Sequence, residues 1–272
     1  MKYTQNLHTH TVYCDGKNTP EEIVLRAIEL GFDTIGFSGH SPVPLDLDYF
    51  MQEDRIEDYK TEIYTLKEKY SDKIKVLCGI EYDMFSNTSQ EGYDYIIGAN
   101  HHLKIRGELI DMDQRADNLK ILIDTYFNGN GIEFAKEYYK TSSMIPDLVN
   151  ADFIAHIDLL TKNCEIADLF DTQSKEYKDA ALEAVHTICK KINVFEVNTG
   201  AISRGYRTTP YPSPFILKEI NRIGGQVIIT SDCHNKDFLD NKFDYSLEYI
   251  KACGFKEVFT LSENGFTGIL ID

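Results

Sequence analysis

The chain has 272 residues, 42% hydrophobic and 26% charged, a size that fits one (β/α) barrel or two small domains with a full core. Its formal net charge of −16 excludes an ordinary nucleic-acid surface, which is basic, and no stretch approaches the eighteen apolar residues of a membrane span. The first residues carry no apolar signal core and the six cysteines lack Cys-x-x-Cys spacing, so a cytoplasmic protein with reduced thiols is expected, with neither nucleic acid nor membrane as partner.

The chain opens with LHTHTVYCDG (7–16), where His8 and His10 alternate on an extended segment and project to one side. Residues 19–31 then read as a capped helix. Thr19 is its N-cap, Pro20 opens it, Glu22 completes a capping box and Gly31 ends it. A short apolar run, DTIGFSGH, follows directly and ends at His40. Further strand-like runs cover 74–81, 94–100, 152–156, 193–199, 226–232 and 257–261. Helical patterns lie around 54–70, 115–143, 174–192, 214–223 and 244–253. Continuous apolar strands alternating with helices indicate a parallel sheet covered by helices. No linker, repeat or low-complexity segment divides the chain, which reads as one domain over 1–272.

Polar residues recur where these strands end: His40, Glu81, His101, His156, Glu196, and the pair Asp232 and His234. In a (β/α) barrel all such ends open on one rim, so residues distant in sequence converge. Imidazoles and carboxylates together suit zinc, manganese or iron, and the lack of thiolates argues against a closed structural zinc site. Cys14 and Cys233 neighbour the candidate ligands without being counted among them. His102 adjoins His101 and is its alternative as a ligand, whereas His186 sits in a helical pattern as a packing or surface residue. Arg204 and Arg207 lie in the loop 200–214 and are candidates to hold an anionic group. Glu196 either orients a ligand or, with Asp46 or Asp158, receives a cationic substrate group.

The segments LHTHTVYCDG (7–16), FSGHS (37–41), GIEYD (79–83), IGANHH (97–102), IAHIDLL (154–160), EVNTG (196–200) and TSDCH (230–234) resemble the polymerase and histidinol phosphatase (PHP) family of metal-dependent phosphoesterases, specifically its histidinol-phosphatase branch. The resemblance implies a distorted (β/α)7 barrel with its active site at the C-terminal ends of the strands. It also implies three divalent ions, zinc, manganese or iron. His8, His10, Glu81 and Asp232 would hold one; Glu81 would bridge to a second on His101 and His156; Asp15, His40 and His234 would hold the third. Against the carboxylates and one bridging hydroxide, such a centre keeps a charge of about +2, enough to draw a phosphate dianion to an acidic chain.

The implied reaction is hydrolysis of L-histidinol phosphate in histidine biosynthesis. A metal-bridging hydroxide attacks phosphorus, with Asp232 and His234 as candidates to relay a proton to the leaving alcohol. The chain departs from the family pattern at two places, carrying Gly200 after Glu-x-Asn-Thr and Lys162 after His-x-Asp-Leu where some members place arginines. Arg204 is therefore the first choice for phosphate binding, with Arg207 and Lys162 beside it. Another small phosphate ester, a nucleotide or sugar phosphate, is the alternative substrate. A non-catalytic, metal-stabilised module is the remaining alternative.

Overall fold

The computed structural model describes residues 2–45 and 48–271. Seven parallel strands form a nearly closed barrel in the order β1 (Gln5–Asn6), β2 (Thr34–Phe37), β3 (Lys75–Asp83), β4 (Tyr95–Ala99), β7 (Phe153–Ile154), β8 (Val194–Asn198) and β9 (Gln226–Thr230). Strands β5 (His102–Ile105) and β6 (Glu108–Asp111) form a separate antiparallel hairpin after β4. Helices α1 (Pro20–Leu30), α2 (Ile56–Lys69), α3 (Ala116–Phe127), α4 (Gly131–Ser142), α5 (Ile145–Leu148), α6 (Lys175–Ile188), α7 (Gly200–Ser203), α8 (Pro214–Arg222) and α9 (Phe243–Ala252) lie between strands. Among the described barrel strands, only β3 and β4 follow one another without a helix between them. Helix α1 has the expected capping box, with Gly31 left-handed at φ 72°.

Two expectations are corrected. The run 257–261 is no barrel strand: β10 (Glu257–Ser262) pairs antiparallel with β11 (Gly265–Leu270). The helical stretch 115–143 is two helices, because Asn128 and Gly129 both take positive φ and end α3 before Asn130 caps α4.

Strand periodicity sorts the core into two parts. Outward residues such as Ile35, Val76, Ile80 and Val197 pack on the helices. Inward residues Leu7, Leu77, Tyr95, Ile97, Phe153 and Ile228 fill the barrel floor, closed from below by Phe259, Leu261 and Phe266 of the β10–β11 hairpin. Above that floor the inward positions become polar, and the site begins.

The first and last strands meet through the segments that follow them. Thr9 bridges Cys233, with His10 N–H donating to Cys233 O (2.8 Å) and Cys233 N–H to His8 O (3.1 Å).

Candidate metal centre

On β3 the inward alternation continues from Leu77 through Gly79 to Glu81 and Asp83, and on β8 from Val194 to Glu196 and Asn198. Glu81 becomes the hub. Its Oε2 lies 3.3 Å from His8 Nε2, 3.6 Å from His10 Nε2 and 2.8 Å from His40 Nδ1; its Oε1 lies 3.2 Å from His101 Nε2 and 3.0 Å from His156 Nε2. After β9 the backbone turns at Asp232 with φ 45°, a conformation that strains a non-glycine residue by about 1–2 kcal/mol. Its Oδ1 stands 3.2 Å from His10 Nε2 and 3.7 Å from His8 Nε2.

The loop after β1 folds back on itself, with Cys14 and Gly16 N–H donating to Thr11 O (both 3.0 Å) and Lys17 N–H to His234 O (2.9 Å). This presents Asp15 to His234 Nε2 (3.1 Å) and His40 Nε2 (3.8 Å). His10 stacks on His234 with ring centroids 4.1 Å apart.

All nine residues expected as ligands therefore converge. Three groups of donor atoms could each hold an ion: His8, His10 and Asp232; His40, Glu81 and His101; and His10, Asp15, His40 and His234. The sets are more interwoven than the resemblance implies, since His40 stands between the second and third, and His10 belongs to the first and third.

The donor geometry fits metal better than hydrogen bonding. His8 Nε2, His10 Nε2 and Glu81 Oε2 are buried without a hydrogen-bond partner. Ligand bonds of 2.0–2.1 Å in a tetrahedral zinc site give donor-to-donor edges of about 3.3–3.4 Å. The four edges linking the two imidazoles to the two carboxylates run from 3.2 to 3.7 Å.

A second layer fixes these rings. Glu196 Oε2 lies 2.8 Å from His8 Nδ1 and also accepts from Thr230 Oγ1 (2.7 Å), while its Oε1 accepts His156 N–H (2.7 Å) and the Asn198 amide (2.7 Å). Asp83 is a member that the sequence reading missed. Its Oδ2 accepts His101 N–H (2.9 Å) and faces the Nδ1 atoms of His101 (3.1 Å) and His102 (2.9 Å). His102 is thereby turned toward Tyr49 (3.3 Å) and away from the three donor groups. A carboxylate on Nδ1 leaves the Nε2 lone pair of His8 and His101 for the centre.

The charges agree with this arrangement. Burial opposes ionisation of Glu81 and Asp232, yet surrounding histidines, and for Asp232 first Arg204, hold both carboxyls well below the usual range. Burial, then His234 and His40, push His10 down to about 3, so it is a neutral donor.

The residues expected at the substrate separate sharply. Arg204 is at the centre's edge, with Nη2 3.0 Å from Asp232 Oδ2 and Nη1 2.9 Å from His234 Nδ1. Lys162 pairs with Asp113 (2.7 Å) and lies over the Tyr206 ring, one layer further out. Arg207 is corrected: it is buried over Tyr211 (4.4 Å), 3.8 Å from Asp158 Oδ2 and bonded to Thr161, so loop packing occupies its guanidinium. Glu196 is corrected as a receiver of cationic substrate, because both its oxygens are engaged behind His8 and it is 1% exposed. Asp158 is also buried, with Oδ2 taking Ser213 N–H (2.9 Å) and Oγ (2.6 Å), and Asp46 lies outside the described residues. His186 is a half-exposed helix residue paired with Glu219, and all six cysteines are free. Burial pushes the thiols of Cys14 and Cys233 up to about 12, away from thiolate chemistry. No described helix is long and apolar enough to cross a membrane.

A family model, the PHP domain, matches residues 6–200. The chain belongs to the PHP domain family. The match takes in six of the seven barrel strands and every candidate ligand except Asp232 and His234. A histidinol-phosphatase of Bacillus subtilis is 23% identical to this PHP domain over 264 residues, spanning 89% of the chain and 97% of its own length. One from Lactococcus lactis is 23% identical over 286 residues, spanning 100% and 96%. Among solved structures, a histidinol phosphate phosphatase from Lactococcus lactis, complexed with zinc, L-histidinol and phosphate, superposes with a TM-score of 0.73 at 19% identity, covering 97% and 98% of the two chains. The PHP barrel thus shares the fold of that enzyme.

Proposed function

We propose that this PHP domain, over residues 1–272, is a metal-dependent phosphomonoesterase that converts L-histidinol phosphate to L-histidinol and phosphate. The observation that carries the reading is the Glu81 carboxylate, with imidazole nitrogens on both oxygens, in a barrel mouth edged by Arg204. Divalent ions held by these donors would supply Lewis acidity and an activated water for attack at phosphorus.

The chain's own residues do the rest. Arg204, bonded through Nη2 to Asp232 and through Nη1 to His234, brings its positive charge to the edge of the centre for the phosphate oxygens. Asp232 and His234, 3.5 Å apart beside it, are the candidates to pass a proton to the leaving alcohol. Glu196 and Asp83 keep His8 and His101 oriented. Lys162 lies one layer further out, where its ion pair with Asp113 balances its charge.

The names of the Bacillus and Lactococcus relatives support the leaving group, as does the L-histidinol in the similar structure. One observation favours a second reading, another small phosphate ester: Gly200 and Lys162 stand where arginines are expected in the histidinol-phosphatase branch. Phosphate release from L-histidinol phosphate, measured against nucleotide and sugar phosphates with protein of known metal content, separates the two. A preference of about a hundredfold in kcat/KM, some 2.7 kcal/mol, supports the first. A flat profile replaces it with the second.

A further inference from the structure

Arg204 reaches the centre across a residue without a side chain. Gly200 opens α7 and Arg204 follows its end, four residues apart, so the two lie on one face of that turn. A Cβ at position 200 would stand 2.8 Å from both Cβ and Oδ2 of Asp232, and 3.0 Å from Nη2 of Arg204. Carbon atoms pack at about 3.5–4.0 Å, so carboxylate and guanidinium already fill that volume.

Neither side can easily retreat. Gly200 N–H donates to Asn198 Oδ1 (2.8 Å), and the Asn198 amide is tied to Glu196 Oε1 (2.7 Å). Asp232 is held by its left-handed backbone and by the imidazoles facing Oδ1. The free end of Arg204, with 29% of its side chain exposed, is the part that can move.

We propose that Gly200 is a positioning residue for phosphate recognition: its missing side chain lets the Arg204 guanidinium lie against Asp232 and beside His234, where it receives the oxygens of a bound phosphate. The role assigned to phosphate rests on the phosphomonoesterase reading. Residue 200 touches no substrate and acts through Arg204. A side chain there turns the guanidinium outward into solvent.

The test compares metal-loaded Gly200→Val, Arg204→Ala and the double variant by metal content, inhibition by inorganic phosphate, and KM and kcat for the phosphate esters. Each single change is expected to weaken phosphate inhibition about 10–100-fold, the range for losing hydrogen bonds to a charged group, with Arg204→Ala keeping its metal. The double variant is expected to match the weaker single one within about twofold. Added guanidinium ion restores phosphate binding to Arg204→Ala and fails in the double variant, where valine fills the space. Gly200→Ala repeats the comparison if the valine variant does not fold.

Multiplying effects, unchanged inhibition, or metal lost from Gly200→Val would overturn the proposal, the last because glycine would then serve Asp232. If the parent hydrolyses no ester yet binds phosphate in a manner dependent on Gly200 and Arg204, the hydrolytic reading fails and the anion subsite stands.

Discussion

Glu196 Oε2 stands 2.8 Å from His8 Nδ1, and both side chains are fully out of solvent. That contact fixes which nitrogen of His8 faces the centre. Glu196→Gln is expected to weaken metal binding about 10–100-fold, read by zinc retention against a competing chelator. Discrimination between cationic and uncharged esters should not change, since Glu196 does not face the mouth. Unaltered zinc affinity would remove the orienting role.

Loss of a ligand should be more severe than loss of its partner. His8→Ala or His10→Ala is expected to lower metal content and reduce phosphatase activity at least about a thousandfold, while circular dichroism still reports the barrel. Full activity in either variant would exclude that histidine from the centre.

Asp83 offers a test at a residue whose role involves two rings at once. Asp83→Ala leaves the buried His101 and His102 without their shared carboxylate and is expected to cost about 3 kcal/mol in urea unfolding, with less metal bound per chain. Unchanged stability together with unchanged stoichiometry would refute this.

Arg207 and Arg204 should behave differently despite lying three residues apart. Arg207→Leu breaks the buried contacts with Asp158, Thr161 and Tyr211 and is expected to lower the melting temperature. Phosphate affinity of the folded fraction should stay within about twofold of the parent. A variant of normal stability with weakened phosphate affinity would reverse the assignment.

On the barrel floor, a Cβ at Gly79 would stand 2.3 Å from Cζ of the Tyr95 ring, whose hydroxyl sits between Leu7 O (2.5 Å) and Phe37 O (3.0 Å). Gly79→Ala is expected to destabilise by about 1–3 kcal/mol through overpacking, measured by urea unfolding. A neutral result would mean that the ring can move aside.

Most candidate ligands were legible because they end runs whose period and apolarity already mark a buried strand, as IKVLCGIE does for Glu81. The capped helix 19–31 was legible for a local reason, its capping residues being three apart. Asp83 was not, because its role depends on histidines 18 and 19 residues away that only folding brings to it. The hairpin partner of 257–261 carried a signal that went unused: Asn264-Gly265 stands where β11 begins, and Gly265 takes φ 89°. Asn128-Gly129 broke the helix at 115–143 by the same left-handed preference. Arg204 was the first choice over Arg207 in sequence, and the burial of Arg207 beside Asp158 separates the two in the fold.

The seam between the two ends of the barrel has a consequence for assembly. It is joined by backbone bonds at His8, His10 and Cys233, and the same two segments carry His8, His10, Asp232 and His234. An ion gripped from both sides is therefore a staple between the start and the finish of the fold, made only after nearly the whole chain is in place. Its binding free energy becomes folding free energy. Stripping it should loosen first the closing stitch between Thr9 and Cys233, leaving the central strands paired.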